Sequence, residues 1–199
     1  MYRFLRFLCG IICYGWCRFK PVGQENIPES GPVILVCNHT HVLDAVCVIQ
    51  MTKRQVHFMC KKELFDNPLF GWALGKAGSF PVDREKGGAA GFMKAMRVLK
   101  NGEVLCIFPE GTRNRERKTP LLPLHPGVSM LEIMSKAPIV PLWVNGHFNP
   151  IRRSVMAAGR PVDVSAYEGV RKPDEESIGM LTGDIENALL NTAKEMKNM

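Results

Sequence analysis

Pro32-Val33-Ile34-Leu35-Val36-Cys37 is an unbroken apolar run, and Asn38-His39-Thr40-His41-Val42-Leu43-Asp44 follows it without a gap. A run of this length and composition, opened by a proline, reads as a strand buried on both faces. The polar residues after it then sit where a strand of an α/β sheet ends, which is where such folds gather ligand-binding and catalytic groups. His39 and Asp44 are five residues apart, whereas facing partners on a helix are three or four apart. For their side chains to touch, the chain must turn between Thr40 and Leu43 before a helix begins. The imidazole could then take a proton near neutral pH, while the carboxylate fixed its tautomer and stabilised the charged form. Taken alone, the segment fits a polar turn with a helix-capping Asp equally well.

Outward from this stretch, strand-like and helix-like segments alternate. A helix is expected over Val42–Met51 and a strand over Gln55–Cys60. Lys61–Lys76 reads as short helical pieces interrupted by Pro68, followed by a strand over Gly78–Val82. A helix over Gly87–Lys100 repeats Ala89, Phe92, Met96 and Leu99 at helical spacing, and Asn101-Gly102 ends it. Glu103–Phe108 is a strand that runs into a long basic loop. Pro126 opens a helix to Lys136, and Pro138–Val144 and Val155–Gly159 are further strands. Asp174–Asn198 is an amphipathic tail helix through Ile178, Leu181, Ile185 and Leu189, and Lys20–Gly31 upstream reads as a polar linker. Such alternation implies one α/β domain, a mixed β-sheet flanked by helices.

The 199 residues, 46% of them apolar, suffice for one sizeable core. The formal charge of +7 points to an anionic partner, either nucleic acid, a lipid headgroup surface or a phosphorylated small molecule. Seven cysteines form no Cys-x-x-Cys pair and suggest a reducing compartment. At the N-terminus, Arg6 and Arg18 bracket an apolar run from Phe7 to Cys17, about half the roughly twenty residues that a membrane span requires. Phe4, Phe7, Leu8, Ile11, Ile12 and Trp16 fall on one helical face and Arg3, Arg6, Gly10, Cys13 and Cys17 on the other. That pattern suits a helix lying in a membrane interface over residues 1–19, ahead of the α/β domain over 20–199. A core helix or a signal peptide remain alternatives, the latter without a good small-residue cleavage site.

Three more segments place polar residues where strands end. Gly78-Ser79-Phe80-Pro81-Val82-Asp83-Arg84 closes with an arginine suited to gripping a phosphate. Phe108-Pro109-Glu110-Gly111-Thr112-Arg113-Asn114 supplies a carboxylate, a glycine that lets a ligand approach the backbone, a hydroxyl and a second arginine. Ile139-Val140-Pro141-Leu142 is apolar, with a proline that limits pairing at that point. Singly, each also reads as a surface ion pair or a turn.

Together and in this order, the four segments resemble the motif set of the glycerolipid acyltransferase family, in particular its bacterial 1-acylglycerol-3-phosphate acyltransferases. The resemblance runs from Lys20 to Gly169. It rests on Asn38, His39 and Asp44, on Gly78 to Arg84, on Phe108 to Arg113 and on Pro141; Lys61-Lys62-Glu63-Leu64-Phe65 adds to it. It implies transfer of a fatty acyl group from a coenzyme A or acyl carrier protein thioester to the hydroxyl of lysophosphatidate, giving phosphatidate. It further implies His39 as general base and Asp44 as its orienting partner. Arg84 and Arg113, with Lys62 as a further contact, would hold the acceptor phosphate, and Glu110, Gly111 and Thr112 would fix the glycerol. Pro141 would belong to an acyl pocket or the scaffold. No cofactor, metal or acyl-enzyme is implied. Ser129 lies in Gly127-Val128-Ser129-Met130-Leu131, which lacks the closing glycine of a nucleophile elbow. The expected setting is the cell membrane, with the chain peripheral or monotopic on its cytoplasmic face.

Thr40-His41 stands where many relatives carry Gln-Ser, so a turn of different shape is expected after His39 and His41 has no assigned role. Glycerol-3-phosphate or another lysophospholipid would need much the same motifs. Two other classes remain open: a zinc hydrolase using His39, His41 and Asp44, and a nucleic-acid binder using Arg113, Arg115, Arg117 and Lys118. The absence of interleaved aromatics in that loop favours anionic lipid over nucleic acid.

Overall fold

Val33–Cys37 forms a strand, β2, whose five residues are all buried, and it lies at the centre of a seven-stranded sheet. The computed structural model describes residues 1–83, 88–170 and 172–198. The other strands are β1 (Lys20–Val22), β3 (Val56–Lys61), β4 (Phe80–Val82), β5 (Val104–Ile107), β6 (Ile139–Val144) and β7 (Val155–Ala158). Their order is β1-β7-β6-β2-β5-β3-β4, and every pairing is parallel except β6 with β7. The expected mixed sheet with flanking helices is therefore what the chain builds.

Alternation along β2 sends its side chains to two different cores. Ile34 and Val36 face a cluster with residues of α4 (Ala89–Lys100), α5 (Gly127–Ser135) and α6 (Glu175–Lys197). Val33, Leu35 and Cys37 face a cluster with Cys47, Val48 and Met51 of α2 (Asp44–Met51). From β2 the chain passes through α2 to β3 on one side, and from β5 it passes through α5 to β6 on the other. β2 and β5 thus flank the point where the winding reverses, and parallel pairing puts the loops that leave β2, β5 and β6 at one edge.

Some expectations shift. Lys20–Val22 is a strand rather than linker, because it pairs with the edge formed by β7. Lys61–Lys76 does hold short helical pieces, a 3-10 turn over Lys62–Phe65 and α3 (Pro68–Lys76), with Pro68 opening the second. The helix expected from Gly87 runs over Ala89–Lys100, Gly87 itself lying outside the described residues. In the tail helix Asp174 caps the N-terminus, its carboxylate accepting from the Ser177 N–H at 2.7 Å.

The N-terminal segment is α1 (Tyr2–Gly10) followed by a wider π-type turn over Ile11–Trp16. It is tied to α2: Gln50 Nε2 donates to the Arg6 carbonyl at 2.9 Å and Arg6 Nε to the Ile49 carbonyl at 3.3 Å. Cys13 and Cys17 are buried against the body, while Phe4, Phe7, Leu8, Ile11, Ile12 and Trp16 are exposed. Among the described residues no helix is long and apolar enough to cross a membrane. All seven cysteines are free. Burial pushes the Cys37 and Cys106 thiols well above their ordinary range, so they act as small hydrophobes.

Candidate active site

The turn after β2 closes on Asp44. This carboxylate is wholly buried in the first turn of α2, and its Oδ2 lies 2.9 Å from His39 Nδ1. The same oxygen accepts the backbone N–H groups of Thr40 at 2.6 Å and His41 at 2.7 Å. Thr40 and His41 must arch over the carboxylate to reach it, which is the turn that a five-residue spacing requires. An ionised carboxylate can only accept, so Nδ1 carries the proton and Nε2 is left as the ring's acceptor.

Neighbouring loops hold His39 from other sides. Asn38 is buried and joins β2 to β6, accepting from the Val144 N–H at 2.8 Å and donating to its carbonyl at 3.1 Å. The His39 N–H donates to Glu110 Oε1 at 2.6 Å, and its carbonyl accepts from the Asn114 N–H at 2.7 Å. The Phe108 ring stacks on the imidazole with centroids 4.1 Å apart. Phe108 opens the segment Phe108 to Arg113, and nothing in the sequence indicates that its ring faces His39.

Glu110 departs from its expected place on the glycerol. It is 3% exposed, and its second oxygen accepts the Leu122 N–H at 2.9 Å, so both oxygens hold backbone of separate loops. Burial raises its carboxyl above the ordinary value, opposed by those two N–H groups. Gly111, Thr112 and Arg113 do line the open space beside His39, as does His125, which lies outside the four motif segments. Gly111 has φ +68 and ends a turn in which its N–H donates to the Phe108 carbonyl at 3.0 Å. Lys62 Nζ donates to Asp83 Oδ2 at 3.2 Å, and Arg84 lies outside the described residues. Pro141 is buried in β6, paired with Val36, and its carbonyl accepts from Gly159 N–H at 2.8 Å. Its nitrogen has no N–H to return to Gly159, and the β6–β7 pairing ends there, at Leu142 with Ala158.

His39 opens into a cavity of about 1280 Å³. Its walls are mainly apolar, with Val46 and Ile49 of α2, Phe58 of β3, Leu74 of α3, Phe92 of α4 and Leu131 of α5 among them. A site of this kind suits a long hydrocarbon with a polar reacting end.

His39 and His41 do not converge on one point as the zinc reading requires. His41 stacks on Phe148 with centroids 4.9 Å apart and takes the Leu43 N–H on its own Nδ1 at 3.2 Å. In the basic loop, Arg117 donates to the Gly146 carbonyl at 2.9 Å and Lys118 pairs with Glu116 at 2.7 Å.

The family model described as "Acyltransferase" matches residues 18–145, which takes in β1 to β6 and every loop around His39. A 1-acyl-sn-glycerol-3-phosphate acyltransferase of Bacillus subtilis is 35% identical over 185 residues, 90% of this chain and 88% of that protein. The enzyme of the same name from Streptococcus pneumoniae is 31% identical over 181 residues, 87% of this chain and 65% of its own length. The fold is that of the crystal structure of a 1-acyl-sn-glycerophosphate acyltransferase from Thermotoga maritima, with a TM-score of 0.73 and 21% identity over 100% of this chain and 82% of that one. Matched through the strands and loops that surround its buried His39–Asp44 contact, and along nearly its whole length by a bacterial relative, this chain belongs to the acyltransferase family.

Proposed function

We propose that the chain moves a fatty acyl group from a thioester donor, acyl-coenzyme A or acyl carrier protein, to the sn-2 hydroxyl of lysophosphatidate, yielding phosphatidate. The observation that carries this reading is the His39 Nδ1–Asp44 Oδ2 contact of 2.9 Å at the polar end of an apolar cavity. The names of the bacterial relatives supply the acceptor.

An alcohol is a poor nucleophile until its proton is taken. His39 Nε2 takes that proton as the hydroxyl oxygen attacks the thioester carbonyl. The new C–O bond forms, the C–S bond then breaks, and the thiolate leaves with the proton that His39 returns. Asp44 keeps Nδ1 as the protonated nitrogen throughout and stabilises the transient imidazolium, and no acyl-enzyme or cofactor is involved. Gly111, Thr112 and Arg113 border the reacting end, Arg113 and Arg84 gripping the acceptor phosphate. Lys62 contributes only if Asp83 shares it. Glu110 acts here as a positioning residue that ties the His39 turn to the chain at Leu122. The apolar cavity receives acyl chain, and residues 1–19 rest in the membrane interface on the cytoplasmic face.

The test is product analysis by mass spectrometry, with vesicles carrying lysophosphatidate, vesicles lacking it but supplied with glycerol-3-phosphate, and each thioester in turn. Phosphatidate made only with lysophosphatidate supports the acceptor. Lysophosphatidate made from glycerol-3-phosphate, with no phosphatidate, reassigns it.

A further inference from the structure

α1 and α3 are two of the helical walls of the cavity that reaches His39. α1 supplies Tyr2, Leu5 and Cys9, while α3 and the turn before it supply Leu64, Ala73 and Leu74. A helix that lines a cavity with one face of a water-soluble protein ordinarily turns a polar face outward. α1 does not, and the amphipathic N-terminus already accounts for that. α3 does not either: Leu69 is 77% and Trp72 is 55% exposed. The spacing 69, 72, 76 places Lys76, also exposed, on the same stripe.

Single exposed hydrophobes are ordinary on protein surfaces. Here two helices walling one lipid-sized cavity both present bulky apolar side chains outward, and cationic residues accompany each. Arg3 and Arg18 lie beside the first and Lys76 beside the second, all exposed. An indole with an adjacent lysine suits the boundary between headgroups and hydrocarbon. The chain's charge of +7 complements anionic lipid.

We propose that Leu69 and Trp72 form a second membrane contact, separate from the N-terminal helix, which sits in the headgroup boundary of an anionic bilayer. With these two walls of the cavity at the lipid surface, acyl chains enter between α1 and α3 without passing through water. The identity of what enters rests on the proposed reaction, but the docking is read without turnover.

The experiment uses the full chain with Trp16→Phe, leaving Trp72 and the buried Trp143 as the only indoles. Vesicles of phosphatidylglycerol and phosphatidylcholine with brominated acyl chains quench indoles that reach the bilayer. The expected result is a blue shift and at least twofold quenching of the Trp72 emission, absent after Trp72→Phe. Leu69→Ser with Trp72→Ser should lower turnover of vesicle-embedded acceptor several-fold while sparing turnover of a dispersed short-chain acceptor. Unquenched Trp72 on vesicles that the chain demonstrably binds would overturn the proposal. So would a concentration-dependent shift of Trp72 emission without vesicles, accompanied by a doubled mass in light scattering, which would assign the stripe to a second copy of the chain. A wrong reaction assignment would abolish product in both formats and leave the quenching result standing.

Discussion

His39 and Asp44 meet at 2.9 Å through a carboxylate oxygen that also holds two backbone N–H groups of the turn between them. One atom therefore fixes both the imidazole and the loop that carries it. In Asp44→Asn the amide oxygen can stand in for Oδ2 and keep all three contacts, with its NH2 group toward the Thr40 hydroxyl, but the negative charge that stabilises the imidazolium is lost. Steady-state kinetics should show kcat down by about 10²- to 10⁴-fold with KM little altered. A variant that keeps full kcat would show that the carboxylate charge is dispensable to His39.

Glu110→Gln separates a positioning role from contact with the glycerol. Its two oxygens hold the N–H groups of His39 and Leu122, and the amide can satisfy only one of them. One N–H left buried without a partner costs about 1–3 kcal/mol. A lower Tm and a lower kcat at unchanged acceptor KM are expected. A rise confined to acceptor KM, with Tm unchanged, would restore the glycerol contact.

The central strand, the α/β class and the segments that meet around His39 were legible because each is local: an apolar run, a helical period, a polar residue where a strand stops. What was illegible depends on distant partners. Lys20–Val22 is only three residues long with Pro21 at its centre and becomes a strand only because β7 offers an edge. The apolar cavity draws walls from α1, α2, β3, α3, α4 and α5, which no single window contains. Glu110 sits in a motif that reads as ligand-facing, yet its carboxylate turns inward to backbone donors from two loops. Phe108 reads as the last apolar residue of a strand, and only the folded turn sets its ring against His39.

Pro141 and Gly159 belong to the scaffold under α6. A Cβ on Gly159 would clash with Thr192 Oγ1 and lie 3.1 Å from the Pro141 ring. Gly159→Ala should therefore lower stability by about 1–3 kcal/mol through overpacking. Adding Thr192→Ala removes the clashing hydroxyl and should return much of the loss. Denaturant titration of the two single variants and the double variant measures the coupling, and strict additivity would contradict the packing account.

Glu132 is buried on α5 with Oε2 unpartnered, and burial raises its carboxyl above the ordinary 4.5 despite Lys136. A raised acid supports the fold fully below its ordinary value and loses that support as pH rises through the raised one. Glu132→Gln removes this dependence, while Glu110, also raised, keeps its own. The Tm difference between variant and wild type should then grow in the variant's favour from pH 4.5 toward 7. A difference independent of pH would show that Glu132 does not titrate in this window.

The central claim is that His39 takes the proton of the acceptor hydroxyl. Phosphatidate formed from lysophosphatidate on vesicles, followed by mass spectrometry for the wild type and His39→Ala with Tm recorded for both, tests it most directly. The account predicts a loss of at least about 10²-fold in rate with the fold intact. Equal product from a folded His39→Ala chain would contradict it.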